Sequence, residues 1–320
     1  MNKKNLRYLL ISLNCIFVSI TIYFSFYRNE KKVLIYPKAV LAFQTSNATL
    51  YKAKELEFRY KNEKKYHSLL VASKDVKSDV PIELFCDCDD LRLSAHGLNC
   101  RLDCAIRYFY NNFYSPWLFV GGDDDWINIQ SFDRIIDSLN KLYDPFKEVI
   151  FAGNIQQMYN MSFPHGGPGW IASRKFISQV IEKNLSAEAF AKRGQWVTDD
   201  VAVGLFIKEH FKNLRFWASP WSMVCLPLDT WIETFINKKW NTLKPCPDEV
   251  LLPSVRDIYS VHMAPFQKKW IPALNEFQNA PKNVKLVADR FVRTNFCWCN
   301  RKWCDLNLDS VNLKKHLKPG

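Results

Sequence analysis

The sequence predicts an α/β sandwich with a mostly parallel mixed sheet, carried behind an N-terminal transmembrane helix. Three observations predict it. From about Tyr66 onward, strand-like runs alternate with helix-like runs, the pattern of layered α/β folds. One apolar run, Trp117-Leu118-Phe119-Val120, ends in Gly121-Gly122 and then in Asp123-Asp124-Asp125, so a buried strand delivers three carboxylates to one end of a sheet. Near the start, Leu6 to Tyr27 is apolar throughout, with Arg7 as its single charge.

The Leu6 to Tyr27 segment has 22 residues, enough to span a hydrocarbon layer of ~30 Å at ~1.5 Å per residue. It exits through Phe26-Tyr27-Arg28 rather than through the small residues of a signal-peptidase site, which favours an uncleaved signal anchor. Lysines and arginines flank it on both sides, so charge leaves the orientation open. Three N-glycosylation sequons, at Asn47, Asn160 and Asn184, and nine cysteines beyond the span place the C-terminal part in a lumen. The expected organisation is a cytoplasmic tail over 1–5, an anchor over 6–27, a lysine-rich stem over 28–64 and a lumenal domain over 65–320.

Within that domain Ser68 to Ala72 and Pro81 to Phe85 read as short strands, and Cys104 to Phe113 as a helix apolar on one side. After the Trp117 strand, Phe132, Ile135, Ile136, Leu139 and Leu142 recur at helical spacing between Ser131 and Tyr143, until Asp144-Pro145 stops the helix. Glu148 to Ala152 is a further strand. Phe176 to Ile181 is a helix that Ser173 is placed to cap. Val201 to Glu209 is another, with Thr198 or Asp199 as its cap.

Three adjacent aspartates repel. Two unit charges ~4 Å apart cost roughly 4 kcal/mol at an effective dielectric near 20. In α/β sheets ligands sit beyond the carboxyl ends of strands, where this cluster falls. A hard cation with oxygen ligands, Mn²⁺ or Mg²⁺, is its natural partner. The alternative is a solvated turn capping the next helix.

Several stretches in order resemble the fringe-type glycosyltransferases of the β-1,3-glycosyltransferase superfamily, which also holds the core 1 galactosyltransferases. Trp117 to Asn128 (WLFVGGDDDWIN) is similar to that family's strand and acidic motif. His165 to Arg174 (HGGPGWIASR) is similar to its glycine-rich segment, and Thr198 to Gly204 (TDDVAVG) to its later acidic segment. Ser94-Ala95-His96 with Cys104, Ser260-Val261-His262 and the Cys297-Trp298-Cys299 to Cys304 cluster add weaker likenesses, so the resemblance covers roughly 65 to 305.

The resemblance implies a GT-A-type, Rossmann-like fold. It implies a membrane-anchored Golgi or ER enzyme that moves a sugar from a UDP-sugar to a glycoprotein or glycolipid hydroxyl, with inversion and a β-1,3 linkage. It also implies Mn²⁺ or Mg²⁺ as cofactor, and it is compatible with a homodimer. By the same resemblance Asp125 is a direct metal ligand, and Asp123 and Asp124 shape the donor site. Asp200 is the base, with Asp199 as second choice. Gly166, Gly167 and Gly169 form the floor, and Trp170 either stacks on a sugar or fills the core. One departure stands out: Trp217 occupies the place of the family's metal-binding histidine. His262 is the remaining candidate, or else an ordinary partly buried histidine. A catalytically silent lumenal binding protein or chaperone, or a basic tethered adhesion protein, would carry the same anchor and cysteines.

The formal net charge of +12 does not mark a nucleic-acid binder, since the excess is dispersed and no nucleic-acid-binding pattern accompanies it. The closely spaced cysteines read as disulfides rather than zinc ligands in a lumenal domain. Cys86 or Cys88 with Cys100 or Cys104 is a plausible bridge, with connectivity open.

Overall fold

The computed structural model describes residues 37–57, 65–91, 94–158, 161–194, 198–212, 214–218, 222–223, 255–263, 268, 270–276 and 279. The expected anchor at Leu6 to Tyr27, the sequon at Asn160 and the Cys297 to Cys304 cluster lie outside them. Among the described residues no helix is long and apolar enough to cross a membrane.

In chain order, β1 (Ala39–Gln44) leads to α1 (Leu50–Glu57), β2 (Tyr66–Ser73) and β3 (Leu84–Cys86). A π-turn over Ala95–Asn99 then enters α2 (Cys100–Asn112). Next come β4 (Trp117–Gly122), the short β5 (Asp125–Ile127), α3 (Ile129–Leu142) and β6 (Ile150–Gly153). A hairpin of β7 (Ile155–Met158) and β8 (Met161–Pro164) precedes β9 (Trp170–Ser173) and α4 (Arg174–Glu182). After α5 (Ala187–Gly194) and α6 (Asp199–His210) come β10 (Arg215–Ala218), β11 (Ser222–Met223), β12 (Ser260–His262) and α7 (Trp270–Glu276).

Seven strands form the main sheet in the order β10-β6-β9-β4-β1-β2-β3. Its pairings are parallel, apart from β9, which runs antiparallel to both β4 and β6. This is the mixed, mostly parallel α/β sheet the alternating pattern predicts. Side chains alternate across it. Leu41 and Phe43 of β1 point into the layer with Phe132, Ile136 and Leu139 of α3, while Val40 and Ala42 face Leu102, Ile106 and Phe109 of α2. Removing a core side chain of this kind, as in Leu41→Ala, costs about 2–5 kcal/mol.

The caps follow the sequence. Asn128 Oδ1 accepts from Ser131 N at the start of α3, and Ser173 Oγ accepts from Phe176 N at the start of α4. Thr198 makes no side-chain cap on α6. Two disulfides, Cys86–Cys104 and Cys88–Cys100, tie β3 to α2. They bracket Arg101, which is 1% exposed and donates to Ser73 Oγ and to the carbonyls of Asp89 and Leu91.

One expectation is corrected here. The stretch 28–64 is not stem throughout, because β1 lies at the centre of the sheet, hydrogen-bonded to β2 on one side and β4 on the other. Its six residues AVLAFQ are all buried. A continuous apolar run of this length suits a strand covered on both faces, and the lysines around it do not change that.

Candidate functional site

The chain leaves β1 toward α1 and β2 on one side of the sheet, and β4 lies on the other side. The crevice between the carboxyl ends of β1 and β4 is therefore a topological switch point, where open α/β sheets bind ligands. A cavity of about 250 Å³ opens there. It is lined by the β1–α1 loop, the β4–β5 corner, the glycine-rich segment before β9, the start of α6, and His262.

The corner is wound tightly. Asp125 Oδ2 accepts from Gly122 N at 2.7 Å, which folds that carboxylate back over the end of β4. A Cβ on Gly121 would lie 2.3 Å from the same oxygen and 2.9 Å from the Phe119 ring, so a side chain there would have to displace the Asp125 carboxylate. Asp123 N donates to Gln44 O at 3.0 Å, and Asp123 Oδ2 accepts from Thr45 Oγ1 at 2.8 Å. Asp124 meets two nitrogen groups: Lys52 Nζ is 2.7 Å from Oδ2, and His262 Nε2 is 3.5 Å from Oδ1. His262 arrives through the antiparallel pairing of β12 with β5, in register with Asp125. A Cβ on Gly167 would lie 2.5 Å from His262 Nδ1, so glycine is what lets that ring in.

The electrostatics show how three adjacent carboxyls coexist. Burial, and then the charge of Asp124, push Asp123 up to about 7. Burial raises Asp125 well above the usual carboxylate range. Burial acts on Asp124 too, but the hydrogen bond and charge of His262, together with Lys52, outweigh it and hold its carboxyl well below the usual range. The charge thus concentrates on Asp124, beside an ammonium.

Across the cavity, α6 presents Asp199 and Asp200 in its first turn, where helix N–H groups and the helix dipole favour anions. Asp200 Oδ2 accepts from Gly166 N at 2.9 Å, and Oδ1 accepts from Val201 N. Asp199 Oδ2 accepts from Gln44 Nε2 at 3.0 Å. Burial, and then Asp200, push Asp199 up to about 7. His165, adjacent to Gly166, is pressed down to about 4 by burial.

Asp123, Asp124, Gly166, Gly167, Asp199, Asp200 and His262 thus meet in one cavity. Asp125 sits directly behind its wall, fully buried. Gly169 packs against the Phe119 ring, away from the opening. Trp170 adjoins the cavity from β9 but is 0% exposed, its ring centroid 4.8 Å from that of Phe151, which matches the core role of the two expected for it. Trp217 lies in the edge strand β10, paired with Ala152. Asn47 and Asn184 are exposed.

Gln44, Thr45, Thr49, Lys52, Arg101 and His165 were not singled out by sequence reasoning. A signal existed for the first two. The apolar run Ala39 to Phe43 ends in Gln44-Thr45-Ser46, the same strand-then-polar pattern as Trp117 to Asp125.

Asp124, Asp125 and His262 each offer one ligand atom, and these atoms lie within 4.8 Å of one another. Two carboxylate oxygens and an imidazole nitrogen fit Mn²⁺, and Mg²⁺ less well.

No protein-family model and no curated protein matches this chain. Solved structures are similar to it at low identity. A glycosyltransferase involved in glycosylation of the major capsid of PBCV-1 shares 14% identity over 76% of this chain and 100% of that one, with a TM-score of 0.44. The galactosyltransferase LgtC, in complex with donor and acceptor sugar analogs, shares 13% over 80% and 99%, with a TM-score of 0.37. GlyE of Streptococcus pneumoniae TIGR4 shares 12% over 79% and 66%, with a TM-score of 0.38. Similarity at this level does not transfer an activity.

Proposed function

We propose that this chain is a metal-dependent glycosyltransferase that moves a sugar from a UDP-sugar to a hydroxyl of a glycan acceptor, inverting the anomeric carbon and forming a β-1,3 linkage. One observation carries the reading. Two acidic motifs far apart in sequence, Asp123 to Asp125 and Asp199-Asp200, meet His262 around a single cavity at the switch point.

Asp124, Asp125 and His262 would hold Mn²⁺, which when bound supplies positive charge to the diphosphate leaving group. The chain's own residues do the rest. Asp200, fixed by Gly166 N, takes the proton of the acceptor hydroxyl, a role worth ~10²–10⁴ in rate. The acceptor oxygen bonds to C1 of the sugar as the bond from C1 to the diphosphate breaks, and UDP leaves. Gln44 Nε2 donates to Asp199 and holds it beside the base.

The test is UDP release by the purified full chain with UDP-galactose, UDP-N-acetylglucosamine or UDP-glucose, an acceptor glycan panel and Mn²⁺. The reading expects turnover with one donor and its loss in Asp125→Ala. No release with any donor, or full activity in Asp125→Ala, rules it out.

The same proposal places the enzyme in an ER or Golgi membrane, anchored through Leu6 to Tyr27 with the domain in the lumen. The apolar span and the exposed sequons at Asn47 and Asn184 support it. Protease added to sealed microsomes should leave the domain intact. Its digestion without detergent would refute this topology.

A further inference from the structure

Lys52 is the one lysine whose ammonium reaches the acidic cluster among the described residues, and it does so from inside the fold. Its side chain is 6% exposed, that of Asp124 is 5%, and Nζ lies 2.7 Å from Asp124 Oδ2. The helix carrying it does not float, since Leu50, Ala53 and Leu56 on α1 are buried in the core layer beneath the cavity. Asp124 is also a member of the trio whose ligand atoms lie within 4.8 Å of one another. The same carboxylate therefore serves an internal cation and a candidate metal site.

We propose that Lys52 is a resident counter-ion that competes with the divalent metal for Asp124, and so sets how much metal the site requires before it fills. This rests on the metal trio of the functional reading above. The physical reason is charge. Without metal, the buried ammonium sits directly against the Asp124 carboxylate and supplies a positive charge to the acidic corner. A divalent cation entering between Asp124, Asp125 and His262 meets that ammonium at the far oxygen of the same carboxylate. The ammonium withdraws as the metal binds, and apparent metal affinity is lowered by the cost of displacing it. A buried pair of this kind stabilises little on balance, which leaves room for a role in controlling occupancy.

Calorimetric titration of the full chain with MnCl₂ tests this. Lys52→Met should bind Mn²⁺ at least about ten-fold more tightly, a lower bound on the effect of removing one positive charge beside a divalent ion at an effective dielectric near 20. Lys52→Gln should shift the same way. Lys74→Met, which removes an exposed lysine paired with Asp87, should bind as wild type does, which excludes an effect of net charge alone. Should the Lys52 variants fold poorly, the wild-type chain gives a second measurement. Reductive methylation of Lys52, followed by mass spectrometry, should be slow in EDTA and faster in saturating Mn²⁺. Wild-type binding with Lys52→Met no tighter, or Lys52 equally protected with and without Mn²⁺, overturns the competition and leaves the metal trio standing. Absence of Mn²⁺ binding to both wild type and Lys52→Met overturns the trio and the competition together.

Discussion

His262 stands opposite Asp125 in the β5–β12 pairing, and its Nε2 lies 3.5 Å from Asp124 Oδ1. This places an imidazole at the acidic corner, while Trp217 lies in the edge strand β10, paired with Ala152. If His262 is a ligand equal to the carboxylates, His262→Ala and Asp125→Ala should each weaken Mn²⁺ binding by at least about ten-fold. Calorimetry with MnCl₂ measures it. Unchanged affinity in His262→Ala would reduce it to a hydrogen-bond partner of Asp124.

Gly167 is the gate for that ring. A Cβ there would sit 2.5 Å from His262 Nδ1 and 2.8 Å from His165 Cε1. Gly167→Ala should therefore lower stability by about 1–3 kcal/mol through overpacking, and weaken Mn²⁺ binding in step with His262→Ala. Urea unfolding and the same titration report the two effects. Wild-type values in both would mean that the ring moves aside at no cost.

Asp200 and Asp199 separate by substitution. Asp200→Asn keeps size and shape but removes the proton acceptor, so turnover should fall by about 10²-fold or more, with UDP affinity near wild type. As a helix-cap residue alone, Asn would replace Asp with little effect. Asp199→Asn should be milder, because an amide oxygen can still accept from Gln44 Nε2. A near-normal rate in Asp200→Asn defeats the assignment, and a larger loss at Asp199 moves the base one residue back.

Asp199 also predicts a pH dependence of stability. Its folded-state value is pushed up to about 7 by burial and then by Asp200, against an ordinary 3.8. Between those values the folded state holds a proton that the unfolded chain has lost, so stability falls as pH rises from about 4 to about 7 and then levels off. Asp199→Asn removes this contribution. Its stability relative to wild type should therefore rise across that window and stay higher at pH 8, by on the order of 2 kcal/mol. Urea unfolding at pH 5 and pH 8 measures the difference. A parallel pair of profiles would show that Asp199 is ionised throughout.

The paired bridges Cys86–Cys104 and Cys88–Cys100 hold the turn that carries Arg101 and Leu98 to the cavity wall. Removing Cys86–Cys104 as a double serine variant should cost about 2–4 kcal/mol, read as a lower melting temperature that dithiothreitol no longer changes as much. An identical melting temperature would mean that the native packing alone holds the segment.

Much of this was legible in the sequence, where the signal is local. Periodicity marked α3 from Phe132 to Leu139, and Ser173 announced its helix. The Trp117 to Val120 run delivered Asp123 to Asp125 to the end of a strand because apolar runs between polar breaks become buried strands. Four cysteines in two close pairs indicated a cross-link between Cys86 or Cys88 and Cys100 or Cys104. What the sequence left open depends on which distant segments touch. Ala39 to Gln44 lay among lysines and read as stem, yet pairing with β2 and β4 made it the centre of the sheet and brought Gln44, Thr45 and Lys52 into the cavity. Trp170 is exposed or buried according to whether strands flank it, and β4 and β6 both do. His262 lies on a three-residue strand whose register carries no periodic signal, and only its hydrogen bonding to β5 sets the ring against the acidic corner. Local composition thus settled which residues are apolar, capped or acidic. Long-range strand pairing, whose free energy is shared between segments far apart in the chain, decided which of them form the site.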